Sequence, residues 1–205
     1  MLRIVALLVA GSAALFAQYK ADAAGTPPSE AAPAIQQALE PHGFKISHAG
    51  DPYCEIWFRA NPPQATGAAA PNITLPSIPD GALVGLIRFY GTASDRRGQS
   101  IPAGAYTLRY ARMPANQAHE GAAPQRDFLV LAPASADRNP AAIPGFDALI
   151  NLGKKASLTA HPFVLSIFKA ESGATGFAQH GDDWVLETSF GGAPMAVILI
   201  GTSGS

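Results

Sequence analysis

Gly98-Gln-Ser-Ile-Pro-Ala-Gly-Ala-Tyr-Thr-Leu-Arg-Tyr110 and, a little further on, Gln125-Arg-Asp-Phe-Leu-Val-Leu-Ala-Pro133 are the stretches on which the fold turns. Pro102 and Gly104 punctuate the first stretch as a turn. After them Tyr106, Leu108 and Tyr110 alternate with Thr107, Arg109 and Ala111, the two-residue period of a strand with one face on a core. Phe128–Leu131 is a short continuous apolar run of strand length. The two segments pair as neighbours if the long connection 113–125 folds back, which would bring Asp127 within reach of Arg109 or Arg112.

The same grammar recurs outward in both directions. Apolar runs of strand length, separated by Gly and Pro, predict strands near 44–48, 54–59, 83–90, 105–112, 128–131, 163–169, 184–190 and 195–200. A further short strand is expected near 73–75. Two helices interrupt them: a short one near 34–39, closed by Pro41 and Gly43, and one over 146–155. The second has Phe146, Leu149 and Ile150 at helical spacing and Lys154 and Lys155 in its last turn, where cations suit the dipole. The expected class is all-β: a single β-sandwich, Ig-like or jelly-roll-like, with one or two short helices.

The amino end reads as an export signal. Arg3 precedes the apolar run Ile4–Ala17, and Ala21 and Ala23 satisfy an A-x-A-like exit, with cleavage after Ala23. That run of fourteen residues is short of the ~20 that span a bilayer. The expected organisation is therefore a signal peptide over 1–23, a flexible leader with a short helix over 24–43, and a sandwich domain over 44–205, in the periplasm or secreted. No membrane span is expected after cleavage. Losing Arg3, Lys20 and Asp22 leaves twelve cations against fourteen anions, so the net charge moves from −1 to −2. That balance argues against nucleic acid, which selects a basic excess. Cys54, the sole cysteine, permits no internal disulfide and shares a strand face with Ile56 and Phe58, as a small buried apolar residue does.

The strand Ile101-Pro-Ala-Gly-Ala-Tyr-Thr-Leu-Arg-Tyr110, the later Arg126-Asp-Phe-Leu-Val-Leu-Ala-Pro133 and the upstream Glu55-Ile-Trp-Phe-Arg59 together resemble a group of bacterial exported proteins without an assigned activity. The likeness extends over most of residues 50–200 and rests on strand and turn residues. It implies a shared sandwich in the cell envelope and carries no catalytic residue with it.

Candidate site residues come from polar positions on these strands. Glu55, Trp57 and Arg59 lie opposite Cys54, Ile56 and Phe58. If the latter face the core, an indole flanked by two charges is offered outward, a combination that holds a sugar or a peptide. A loop lying over Trp57 would turn the same face into an ordinary covered one. Arg109, Arg112, Arg126 and Asp127 form a second candidate group at the paired strand ends. His119 and Glu120, in the 113–125 connection, are weak metal candidates because adjacent loop residues lack the spacing of an H-x-x-x-H or H-E-x-x-H site. No Gly-x-Ser-x-Gly elbow and no phosphate loop occurs.

These features lead us to expect a non-catalytic binding or interaction module of the envelope, with carbohydrate, peptide or an envelope protein as partner, and no cofactor. A structural or assembly protein without a small ligand is the first alternative, and a metal-dependent hydrolase the second.

Overall fold

Alternation of apolar and polar residues becomes an antiparallel sheet in the computed structural model, which describes residues 19–66, 72–113 and 126–202. Ten strands build that sheet: β1 (Tyr19–Ala24), β2 (Gly43–His48), β3 (Asp51–Phe58), β4 (Leu83–Phe89), β7 (Gly104–Arg112), β8 (Asp127–Pro133), β9 (Val164–Phe168), β10 (Gly176–His180), β11 (Asp183–Phe190) and β12 (Ala193–Ile200). Two-residue strands β5 (Ala93–Ser94) and β6 (Ser100–Ile101) pair with each other apart from it. The spatial order is β1-β2-β3-β4-β7-β8-β9-β12-β11-β10, with every neighbouring pair antiparallel. The chain meanders as far as β9, crosses to β10 and returns through β11 and β12. The sheet curls until its first and last strands lie close, so it is nearly closed.

Tight hairpins keep the register. Ala49-Gly50 (φ 54° and 95°) joins β2 to β3, and Gly191-Gly192 (φ 59° and 83°) joins β11 to β12. Positive φ at both central residues matches the right-handed twist of the flanking strands. Across β7 and β8, Arg112 faces Asp127 and Tyr106 faces Pro133, so the two decisive stretches pair as the sequence implies.

The inward face carries the main core, including Ile46, Cys54, Ile56, Phe58, Leu108, Tyr110, Leu129, Leu131, Leu165, Leu186 and Val197. The outward face is also covered, in two places. Helix α1 (Pro33–Ala38) and the chain before it place Ile35, Ala31 and Ala32 against Trp57, Leu83 and Leu86. Helix α2 (Phe146–Ser157) sets Leu149 over Ala111, Phe128, Val130 and Val164. Gly153 permits that approach, since a Cβ there would lie 2.6 Å from Val130 Cγ1 and 2.7 Å from Pro162 Cβ.

Two expectations change. Residues 73–75 form no strand; the backbone N–H groups of Thr74 and Leu75 instead donate to the Asp127 carboxylate. Four strands lie outside the expected ranges: the two-residue β5 and β6, and β1 and β10, where Tyr19-Lys-Ala-Asp-Ala-Ala24 and Gly176-Phe-Ala-Gln-His180 each hold only one large apolar side chain. Within 24–43, Ala24, Ala31, Ala32, Ile35 and Leu39 are buried against the sheet.

Candidate functional site

Covering the outward face changes the role of the residues that sequence reasoning places there. Trp57 is 1% exposed, and its indole Nε1 donates to the Gly25 carbonyl at 2.8 Å. It is a core residue beneath α1, so the expected stacking platform is corrected to a packing one. Glu55 remains half-exposed, in register between Lys45 on β2 and Arg88 on β4. Tyr90 holds its proton more tightly than a free phenol, first through desolvation and then through a hydrogen bond to Glu55. This is a flat ladder of alternating charge on a solvated face.

Arg109 and Asp127 are fully buried and serve as tertiary clamps. The Arg109 guanidinium meets the Asp137 carboxylate with Nε at 2.6 Å and Nη2 at 2.7 Å. Its remaining N–H groups donate to the carbonyls of Gly81, Asn139 and Ala142 at 2.7–2.8 Å. Four of the five hydrogen bonds of the fork thus tie the 134–145 loop to the sheet, and the fifth holds the Gly81 turn before β4. Asp127 accepts from Thr74 N at 2.7 Å, Thr74 Oγ1 at 3.0 Å, Leu75 N at 3.2 Å and Tyr110 Oη at 2.8 Å. Burial, and then the Asp127 charge, push the Tyr110 phenol well up. Neither residue presents a free polar group; of the two arginines expected within reach of Asp127, Arg112 stands opposite it in the β7–β8 register, while Arg109 is held by Asp137.

Arg112 pairs bidentately with Asp80 at 2.7 and 2.8 Å on a part-exposed surface. Arg126 is exposed and donates to the Met113 carbonyl at 3.1 Å. His119 and Glu120 lie outside the described residues. Among the described residues, no three His, Cys, Asp or Glu side chains converge as a metal site would require. Cys54 is fully buried and its thiol is pushed up by desolvation, so it is the inert kind of cysteine.

Concave surface lies instead along the seam where the curled sheet fails to meet itself. β1 and β10 are its two ends, and among the described residues no ladder joins them. Between them is an open cleft of about 480 Å³ lined by Tyr19, Lys20, Asp22, Phe177, Gln179 and Trp184. The Trp184 ring stacks on Phe177 (centroids 5.4 Å apart, planes 25° apart) and lies 5.5 Å from Tyr19 across the seam. Tyr19 stacks in turn on His48 at 4.3 Å. All three of Tyr19, Phe177 and Trp184 are half-buried, while Lys20, Asp22 and Gln179 are exposed around them.

At the other end of β11 a smaller cleft of about 320 Å³ is bounded by Glu40, His42, Arg59, Phe58, Thr188 and Phe190. Arg59 is thus the one strand-face candidate that reaches a concavity. Its Nη1 donates to the Pro140 carbonyl at 2.7 Å, and desolvation followed by the nearby Arg109 charge lowers its proton affinity.

The seam residues escaped sequence reasoning for a definable reason. Trp184 was legible as an aromatic at the start of the strand expected near 184–190, but Tyr19, its neighbour across the seam, comes from the opposite end of the chain. Compared with known proteins, the chain matches no protein family, no curated protein and no solved structure.

Proposed function

We propose that this protein is an exported, non-catalytic binding module of the cell envelope whose ligand site is the seam, and that its ligand is an extended peptide segment. The observation that carries this reading is the pair of unpaired sheet ends, β1 and β10, flanking a cleft walled by Tyr19, Phe177 and Trp184. Tracing each ladder back to β11 and β2 shows that β1 and β10 run in opposite directions. An extended peptide beside either edge takes up main-chain hydrogen bonds that the edge leaves open, while alternate side chains meet the aromatic wall. We read the sheet as a flattened sandwich. Support comes from a filled interior in which Phe58 of β3 meets Phe190 of β11 at 6.3 Å, and Tyr106 of β7 meets Phe163 at 6.5 Å.

Indole fluorescence tests the proposal directly. The chain has two tryptophans, and Trp57 is buried with its N–H bonded, so Trp184 reports on the cleft. Titration with alternating apolar–polar octapeptides should change its emission, and Trp184→Ala should weaken binding at least tenfold while unfolding by urea stays cooperative. Equal peptide affinity in Trp184→Ala would sink the seam as the site. A response to N-acetylglucosamine oligomers with none to peptide would reassign the same aromatic wall to carbohydrate.

A second reading has its own observation. β10 is an edge strand with Gly176, Ala178, Gln179 and His180 all exposed. Such an edge also suits pairing with another copy, as an assembly protein would use it. Sedimentation of the mature protein distinguishes the two, since self-pairing through β10 gives a concentration-dependent dimer.

A further inference from the structure

The residues that resemble the end of an export signal are also a strand of the folded domain. Cleavage after Ala23 would remove Tyr19 to Ala23, five of the six residues of β1, and leave Ala24 alone. Those residues are not passive. β1 pairs with β2 along its full length, from Tyr19 opposite His48 to Ala24 opposite Gly43. Ala21 sits across from the fully buried Ile46, and both Tyr19 and Ala21 pack against the main core. Lys20 and Asp22 point to solvent. Tyr19-Lys-Ala-Asp is therefore a strand's alternation, in which Ala21 is the small residue that meets the core.

Tyr19 also does something no other residue of β1 does. Its ring contacts His48, Tyr53 and Trp184 at 4.3, 5.6 and 5.5 Å, linking the first strands of the sheet to β11 across the seam. Removing it would strip the near wall from the cleft and expose the β2 edge. Downstream, Ala24 is buried and Gly25 accepts the Trp57 indole, so the chain is anchored where β1 ends.

We infer that processing leaves Tyr19–Ala24 on the mature protein and that the export signal is cut upstream of Tyr19. The inference rests on the export reading above. Upstream, Ser12-Ala13-Ala14 follows a seven-residue apolar core, Ile4–Ala10, and places small residues three and one before the bond after Ala14, as the A-x-A-like pattern requires. On this assignment Ala21 is small because it packs on the core opposite Ile46, not because of a peptidase, and Ala23 is an exposed position of the strand.

Full-length precursor expressed in an exporting bacterial host, with the N-terminus of the exported protein read by mass spectrometry, tests this. A companion variant, Ala23→Leu, puts a large residue at the bond after position 23 and, at an exposed β1 position, leaves the fold alone. The expected result is the same processed N-terminus in both proteins, with Met1 removed together with the apolar core Ile4–Ala10 and the first residue no later than Tyr19. A wild-type protein beginning at Ala24, with Ala23→Leu left unprocessed, overturns the inference while keeping export. Recovery of both proteins with Met1 intact overturns export and the inference together.

Discussion

At the scale of single residues, the polar groups most conspicuous in the sequence turn out to hold the fold. Arg109 and Asp127 were legible as charges on strands. Their partners were not, because Asp137, Thr74 and the carbonyls of residues 81, 139 and 142 are brought to them by loops. Trp57 shows the same effect on an aromatic. Its alternation with Ile56 and Phe58 was read correctly, but alternation says which face a residue is on, not whether that face is dry. Trp57→Ala should therefore cost about 3–5 kcal/mol of stability by opening a cavity under α1. Peptide affinity at the seam should be unchanged in molecules that remain folded. Urea midpoints measure the first effect, and a midpoint equal to wild type would show that Trp57 is not packed as described.

Elements are more legible than their contacts. Eight strands and both helices fall where periodicity and Gly/Pro punctuation place them, because those signals are local. α2 illustrates what is not local. Gly153 sits inside the helix, where glycine is about 1 kcal/mol worse than alanine. Propensity alone says that Gly153→Ala should stabilise. Contacts with Val130 and Pro162 at 2.6 and 2.7 Å say the reverse, since overpacking costs about 1–3 kcal/mol. The expected outcome is a Tm lowered by several degrees, measured by calorimetry; a raised Tm would mean that the helix can lift off β8 at little cost. β1 and β10 mark the other limit of local reading. Both are alanine- or glycine-rich edge strands whose identity depends on the neighbour they pair with.

On the scale of the whole molecule, buried acids make stability depend on alkaline pH. Desolvation raises the Cys54 thiol and the Tyr53 and Tyr110 phenols above their ordinary values. A raised folded value means that the folded state keeps its proton when the unfolded state has lost it. The contribution is thus complete below the unfolded pKa and declines above it. The decline should begin near pH ~9 with Cys54 and steepen above pH ~10 as the tyrosines join, each group adding up to about 1.4 kcal/mol per pH unit. Urea unfolding at pH 7, 9 and 10.5 measures this, and Cys54→Ala should delay the onset. Identical pH profiles for the two proteins would remove Cys54 from the account.

By itself the sequence determined an all-β chain with two short helices, the central strand pair, a near-neutral charge and a buried cysteine. Each of these follows from composition or from short-range periodicity, which the chain carries in every window. Only the tertiary structure decided that the sheet curls until β1 nears β10, that Trp57 and Arg109 lie beneath covering segments, and that Tyr19 meets Trp184. Those outcomes depend on contacts between residues as far apart as positions 19 and 184. Such contacts are selected by shape and burial across the whole fold, and no local pattern encodes them.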